Sequence, residues 1–371
     1  MQEARVSIRI QSVGTRIVDH ALRPERIIVS HAGRHDRSRF LEVTLHGPAG
    51  MRGYGEAAVT ALWSGETAET AQWTIEHLFA PALVGCGFAH PREALAALDA
   101  VAYGLPFTKS AVDTACWDLW ARLQERSVLG LIGDRTPPVS IPTRASVGAY
   151  PVEQTVRLAC EFWAAGIQTL KFKTGMPGLD DAARLRAVRE RLGNEPRFTV
   201  DANGAYRDAE TAVRAIEALL PFQLALVEQP THRDRIGLLA QVRKRVPVPI
   251  LADECVFTPV QLEEALDLEA FDVLSVYPGK NGGFTRSLEM ARTAQQAGKR
   301  CAIGSNLESE LGQAAMTCLA AGLTAFPVEE LACDLQAALM YERSSVTPAG
   351  TLRAGRASVP SGLGFGVEPR A

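Results

Sequence analysis

The chain has 371 residues, 47% hydrophobic and 22% charged, with a formal net charge of −3. Those proportions suit a soluble globular protein and exclude disorder, collagen-like repeats and coiled coil. A charge so near balance gives no electrostatic footprint for nucleic acid or an anionic membrane surface. Length alone suggests two domains with ample core. Of 39 basic residues only six are lysine (Lys109, Lys171, Lys173, Lys244, Lys280 and Lys299), so the positions of those six carry information. Seven cysteines, an odd number without CxxC spacing, point to buried thiols in a reducing cytosol. No apolar run approaches the ~18 residues of a membrane span, so a cytoplasmic protein without membrane or nucleic-acid partners is expected.

In chain order, Val6–Ile10, Arg26–Ser30 and Phe40–His46 alternate polar and apolar residues as strands do. Residues 66–82 and 91–126 carry apolar positions three and four apart and predict helices. Strands followed by helices suggest an α+β domain over 1–133, closed by the Pro137–Pro138 pair. Beyond it, eight short apolar runs alternate with helical periodicity: VSIPTRASV, TLKFK, RFTVDAN, LALVEQ, PILADE, DVLSVYPGK, RCAIGSN and TAFPVE. Regular strand–helix alternation of this kind predicts a (β/α) barrel over 134–350, with 351–371 returning to the first domain. An open doubly wound sheet is the alternative, but the Gly-rich phosphate turn after its first strand is missing.

A barrel of this type builds its active site at the carboxyl ends of its strands. Those ends carry Lys171 and Lys173, Asp201 with Asn203, Glu228, Asp253 with Glu254, Lys280, Ser305 with Asn306, and Glu329. Any one of the acids alone would more often cap a helix or face solvent. Asp201, Glu228 and Asp253 on three consecutive strands would repel one another unless they share a cation, and a hard divalent ion such as Mg²⁺ suits three oxygen ligands. Lys171 and Lys173 point to one face because strand side chains alternate. Crowding beside a divalent cation would depress their pKa values and favour a neutral amine able to act as a base. A purely structural pairing of lysines with the acids would leave two adjacent cations on one strand unexplained.

These residues resemble the enolase superfamily, and within it the muconate lactonizing enzyme subgroup. The matching segments are LKFK (Lys171, Lys173), VDAN (Asp201, Asn203), VEQP (Glu228), ADE (Asp253, Glu254) and GKNGG (Lys280). GYGEA at 53–57, AVDTACWDLWAR at 111–122, SNLESELG at 305–312 and SGLGFG at 361–366 are similar to family segments as well. The resemblance implies a modified TIM barrel with an α+β capping domain. Asp201, Glu228 and Asp253 would be ligands of Mg²⁺, with Mn²⁺ as a substitute. Lys173 would be the acid/base on one face of the substrate, Lys280 the group on the other, and Lys171 the tuner of Lys173. Asn203 and Glu254 would support the metal and the lysine. The seventh strand closes as IGSN without a histidine, which departs from the mandelate racemase pattern.

The implied chemistry is removal of the α-proton of a small carboxylate substrate to give an enediolate stabilised by the metal and flanking ammonium groups. A muconate-type cycloisomerase leads, followed by an amino-acid or N-acyl-amino-acid racemase or epimerase, then a hydroxy-acid dehydratase. The dipeptide epimerases of the family carry an Asp-x-Asp pair after the eighth strand, where this chain reads VEELACDL, a departure from that pattern. A Schiff-base lyase on the same barrel would not need three strand-end carboxylates, and a silent binding homologue would not need the full set. Ser305, Asn306 and Glu329 at strand ends are candidates for substrate binding. So are Arg23 and Tyr54 from the capping segments 14–39 and 52–63. Family members form homo-oligomers, which is the expectation here.

Overall fold

The computed structural model describes residues 7–370. The capping domain opens with a three-stranded antiparallel sheet of β1 (Ser12–Ala21), β4 (Arg37–His46) and β5 (Arg52–Ala58), with β4 in the centre. Between β1 and β4 a small hairpin, β2 (Ile28–Ser30) and β3 (Gly33–His35), projects from the sheet. Of the strand expected at Val6–Ile10, Val6 lies outside the described residues, and Ile8–Arg9 pair with Gly87–Phe88. The helices are α1 (Ala68–Thr74), α2 (Pro91–Val101) and α3 (Pro106–Leu123). The single helix expected over 91–126 is therefore two. Gly104 and Leu105 adopt left-handed φ of +69° and 54°, and Pro106 disfavours helical backbone in the residue before it.

The GYGEA segment has a steric reason for its glycines. A Cβ on Gly53 would stand 2.2 Å from the Ala115 carbonyl oxygen, and one on Gly55 2.0 Å from that of Ala111. Strand β5 thus lies directly on the backbone of α3. On the same helix, Asp113 accepts from Thr285 N at 2.8 Å and Thr285 Oγ1 at 2.7 Å, and Asp118 accepts from Phe365 N at 2.7 Å. Helix α3 is the joint through which cap, barrel and C-terminal segment meet.

The catalytic-type domain is a curled parallel sheet of β6 (Arg144–Val147), β7 (Thr169–Lys173), β8 (Arg197–Asp201), β9 (Leu224–Glu228), β10 (Ile250–Ala252), β11 (Val273–Val276) and β12 (Arg300–Ile303), each paired with the next. Helices α4 (Val152–Ala164), α5 (Asp181–Leu192), α6 (Ala209–Leu219), α7 (Ile236–Arg243) and α8 (Pro259–Asp267) return the chain between strands. They are followed by the short α9 (Pro278–Asn281), α10 (Phe284–Gln296) and α11 (Glu310–Gly322). Asp180, Asp208, Thr258 and Ser309 each accept from a first-turn amide, which satisfies donors that a helix start otherwise leaves open.

The eighth strand position differs from the expectation. TAFPVE forms turns, and the barrel is closed by the later segment 333–335. Arg144 N donates to the Cys333 carbonyl at 3.0 Å, and Asp334 N to that of Ile303 at 3.0 Å, so this segment bridges the first and seventh strands. The seven-stranded sheet becomes a barrel through main-chain bonds made by Cys333 and Asp334.

Candidate active site

The strand ends meet in one row. Lys173 opposes Asp201 across β7 and β8, Asp201 opposes Glu228 across β8 and β9, and Glu228 opposes Leu251, two residues before Asp253. All three acids are buried, yet line an open cleft between barrel and cap. The cleft also holds Lys171, Lys173, Asn203, Ser305 and Asn306 on the barrel side, under Thr60, Leu62 and Trp63 of the cap.

Lys171 is buried and donates to Asp334 Oδ2 at 2.7 Å and Glu228 Oε1 at 3.2 Å. Lys173 donates to Asp201 Oδ2 at 2.6 Å and Asn203 Oδ1 at 2.8 Å. Asn203 in turn donates to Glu254 Oε1 at 2.7 Å, and its backbone adopts a left-handed φ of 44°, with its N–H donating to Asp201 Oδ1 at 2.9 Å. Behind this row Arg144 is almost wholly buried and grips Asp334 with Nε and Nη2 at 2.7 and 2.8 Å, with Glu228 Oε2 at 3.0 Å. A bidentate guanidinium–carboxylate pair fixes geometry as well as charge.

Burial alone would raise the Asp201 carboxyl, but Lys173 and Lys171 outweigh it and hold it at about 2. Glu228 is pushed up to about 7 by burial, with Arg144 opposing and Asp201 adding repulsion. Burial and the nearby Arg144 lower Lys171, yet Asp334, Glu228 and Asp201 together hold it above its ordinary value. The three carboxylates thus keep Lys171 an ammonium. Glu254 is raised well above the carboxylate range by burial and by repulsion from Asp253 and Asp201, and its buried Oε2 finds no partner among the described residues.

That orphaned oxygen and the row of strand-end acids fit a cation. Asp201, Glu228 and Asp253 could hold one through oxygen ligands, as a hard divalent ion requires. Among the described residues no three such side chains converge in ready ligand geometry. Instead each acid is paired with a lysine: Asp201 with Lys173, Glu228 with Lys171, and Asp253 with Lys280.

The cleft thus gathers Lys171, Lys173, Asp201, Asn203, Glu228, Asp253, Ser305 and Asn306, while Glu254 stands behind Asn203 at a neighbouring hollow. The other expected residues lie elsewhere. Glu329 is on an exposed turn paired with Arg356 at 2.6 Å, because the chain closes the barrel five residues later. Arg23 donates to the Tyr341 carbonyl at 3.2 Å and borders a separate hollow. Tyr54 is buried against Arg122 in the joint with α3. Lys280, by contrast, meets the site: it is fully buried on α9, just beyond the end of β11, and donates to Asp253 Oδ1 at 3.0 Å. Sequence reasoning missed Arg144, Asp334 and Gln336. A spacing of 29 residues from Ser305 to Asp334 suits the barrel rhythm as well as the 24 to Glu329, and the acid in ACDLQ was the available signal.

A capped barrel with acids and lysines at its strand ends is an enolase-like architecture. The enolase C-terminal domain-like model matches residues 154–371, and the mandelate racemase / muconate lactonizing enzyme N-terminal domain matches residues 12–133. The chain belongs to the mandelate racemase / muconate lactonizing enzyme family of the enolase superfamily. It is similar to muconate cycloisomerase 1 of Rhodococcus opacus, 30% identical over 97% of this chain and 96% of that protein. It is equally similar to the L-Ala-D/L-Glu epimerase of Bacillus subtilis, 30% identical over 86% of each chain. The substrate-liganded structure of that epimerase superposes with a TM-score of 0.91 at 27% identity over 98% of this chain and 99% of that one. A dipeptide epimerase of Enterococcus faecalis, solved with Mg and the dipeptide L-Leu-L-Tyr, gives a TM-score of 0.90 at 28% identity, covering 97% of this chain and 99% of its own. No helix among the described residues is long and apolar enough to cross a membrane.

Proposed function

We propose that the protein is a Mg²⁺-dependent isomerase or lyase that removes the proton α to a carboxylate of a small molecule, with muconate-type cycloisomerisation as its net reaction. The observation that carries this reading is the row Lys173–Asp201–Glu228, opening on a cleft of small-molecule size. Asp201, Glu228 and Asp253 would hold the ion. When bound, the ion draws the charge of the enediolate onto the substrate's carboxylate oxygens and so lowers the barrier to losing the α-proton.

The charges around the site support this. Asp201, Glu228 and Asp253 are each paired with a lysine in the buried row, and Asp334 with Arg144 and Lys171, so the carboxylates gathered there would suit a divalent cation. Lys173, whose Nζ lies in the cleft beside Asp201 and Asn203, would accept the α-proton. Lys171, held by Asp334, stays an ammonium and faces the substrate carboxylate. In a lactone substrate the α C–H bond breaks towards Lys173, and the ring C–O bond at the β-carbon breaks with its electron pair leaving on the released carboxylate. The reverse steps close the ring. Arg34 at the cap end of the cleft supplies a guanidinium for a second carboxylate.

A second reading, epimerisation of a dipeptide or N-acyl amino acid, is favoured by the likeness to the Bacillus subtilis epimerase. Against a free α-ammonium stands the wall made by the barrel-closing segment. Both oxygens of Asp334 are taken by Arg144 and Lys171, and its neighbour two residues on is the neutral Gln336.

The deciding measurement is α-hydrogen exchange in D₂O over muconolactone, dipeptides and N-succinyl amino acids, before and after complete removal of divalent metal. Exchange that requires Mg²⁺ is expected. Exchange that persists in metal-free enzyme overturns the reading. A cytoplasmic homo-oligomer is expected, and light scattering on the purified chain would check the assembly.

A further inference from the structure

The loop between β12 and α11 carries two residues of the cleft, Ser305 and Asn306. Its shape comes from one buried side chain, Glu308. The carboxyl group folds back on the residues before it: Oε2 accepts from Ser305 Oγ at 2.5 Å, and both oxygens accept from Asn306 N at 3.1 Å. Ser305 Oγ in turn accepts from Leu307 N at 2.8 Å, and Leu307 is held at a left-handed φ of 60°, a region that side chains other than glycine rarely enter. Gly304 seats the start of the loop against β11, because a Cβ there would stand 2.1 Å from Ser275 Oγ.

This loop holds the cap at two points. Asn306 Nδ2 donates to the Ala58 carbonyl at 2.7 Å and to Thr60 Oγ1 at 3.2 Å, where the chain enters the turn that carries Leu62 and Trp63. The Leu307 carbonyl accepts from the Tyr341 hydroxyl at 2.5 Å. That hydroxyl lies 2.6 Å from Ser38 Oγ, which is 2.7 Å from His35 Nε2. Donor counting gives the chain one direction. A carbonyl only accepts, so it takes the single proton of Tyr341; Tyr341 then accepts from Ser38, and Ser38 from His35 Nε2–H. His35 ends the β2–β3 hairpin and lines the cleft beside Arg34. The two cap walls of the cleft are thus referred to two neighbouring residues, Asn306 and Leu307, and both of these to Glu308.

We propose that Glu308 is a positioning residue for substrate: it fixes the 305–308 loop as the barrel-side anchor from which both cap walls, the Thr60–Trp63 turn and the β2–β3 hairpin, are set over the cleft. That a substrate is gripped there rests on the α-proton reading above; the anchoring itself does not. Without the carboxyl group, Ser305 Oγ and Asn306 N lose their shared acceptor, and nothing holds Leu307 in its left-handed turn. The Leu307 carbonyl then swings away from Tyr341, and the order of the chain to His35 goes with it. Both walls loosen together, although they belong to separate elements.

Amide hydrogen exchange of the full-length protein, read by mass spectrometry over 28–35, 59–65 and the barrel strands, tests the anchor with no substrate present. Glu308→Ala should speed exchange in both cap segments about 10-fold, the scale of losing hydrogen bonds to a charged group, with β7, β8 and β9 unchanged. Glu308→Gln keeps one acceptor oxygen and should fall between Glu308→Ala and wild type. Unchanged cap exchange in Glu308→Ala overturns the inference. So does a rise shared equally by the barrel strands, which would make Glu308 a support of the whole fold. Asn306→Ala should loosen only the turn, and Tyr341→Phe only the hairpin. Any other pattern in these two overturns the routing through Asn306 and Leu307.

The grip on substrate has its own readout. Glu308→Ala should raise KM for metal-dependent α-hydrogen exchange about 10-fold with kcat nearly unchanged. A kcat that falls as far as KM rises would place Glu308 in the chemistry and overturn its positioning role. If no carboxylate probe exchanges in wild type, the α-proton reading falls, and the anchor stands or falls on amide exchange alone.

Discussion

The floor and the roof of the cleft are held by different physics. The floor is a closed network of buried charge in which Arg144, Lys171, Asp334 and Glu228 each satisfy at least two others, every member seated on a barrel strand or the segment that closes it. The roof is a short stretch of neutral side chains from Thr60 to Trp63, with Leu62 73% exposed. A few single hydrogen bonds tie it down: Asn306 Nδ2 to the Ala58 carbonyl at 2.7 Å, Trp63 Nε1 to Tyr277, and Arg233 Nη1 to the Trp63 carbonyl at 2.7 Å. Buried charge networks lock one geometry, because removing any member strands the rest in low dielectric. Single hydrogen bonds at a half-exposed loop cost little to break and re-form. On the proposed function chemistry would belong to the floor and fit to the roof, and substitutions should separate along that line.

The largest effect is expected at the floor. Lys173→Met should lower kcat for exchange by at least ~10²-fold, the usual scale for a positioned acid or base, with the fold intact by circular dichroism. Near-normal turnover would remove Lys173 from its role. Arg144→Met comes next and should strike stability rather than chemistry alone. It leaves Asp334 and Glu228 buried without their guanidinium, and breaking a buried pair from one side costs about 3–5 kcal/mol. Chemical denaturation would read this directly, and a loss below about 1 kcal/mol would mean that water reaches the floor behind Lys171.

At the roof the expectation reverses. Trp63→Phe keeps an aromatic wall and deletes only the N–H that Tyr277 accepts. A net hydrogen bond of about 0.5–1.5 kcal/mol converts to a KM increase of roughly 2- to 10-fold with little change in kcat. Should kcat fall as far as KM rises, the roof shares in the chemistry and the contrast between the two regions fails.

The same contrast explains what was legible in the sequence. Asp201, Glu228 and Asp253 announce themselves because parallel strands place their last residues in register and the run lengths repeat. Arg144 does not, since one arginine in PTRASV is hidden among the 33 of this chain and only the fold brings it against Asp334. TAFPVE reads as a strand because it is apolar, but it is a turn, and ACDL closes the barrel with main-chain bonds that leave no alternating pattern. Lys280 counts as a strand end only if the strand runs through Pro278, and a proline cannot continue the ladder. The roof carries no periodic signal, because Ala61–Ser64 is a single helical turn, too short to show one.

Between floor and roof lies a joint whose strength should depend on pH. Glu56 of β5 is buried and accepts from Ser309 N at 3.0 Å and from the Ser309 hydroxyl, at the start of α11 on the barrel side. A Cβ on Gly312 would stand 2.6 Å from Glu56 Oε1, so the helix packs directly on the carboxyl group. Burial pushes Glu56 up to about 8, with the Ser309 bonds opposing and Glu308 and Glu42 adding repulsion. The folded state therefore binds a proton that the unfolded chain has already released above about 4.5. The stability linked to that proton is complete below about pH 4.5 and is lost as pH rises towards 8. Glu308, raised to about 7 by burial, and Asp113, raised to about 7 by burial, titrate in the same window and the same direction. The wild-type melting temperature should accordingly fall between pH 5.5 and 8.5. Glu56→Gln should make that fall shallower without abolishing it, because an amide keeps an acceptor for Ser309 and has no charge to desolvate. A Glu56→Gln slope equal to or steeper than wild type would mean that Glu56 is ionised in the folded protein, with the joint open to water.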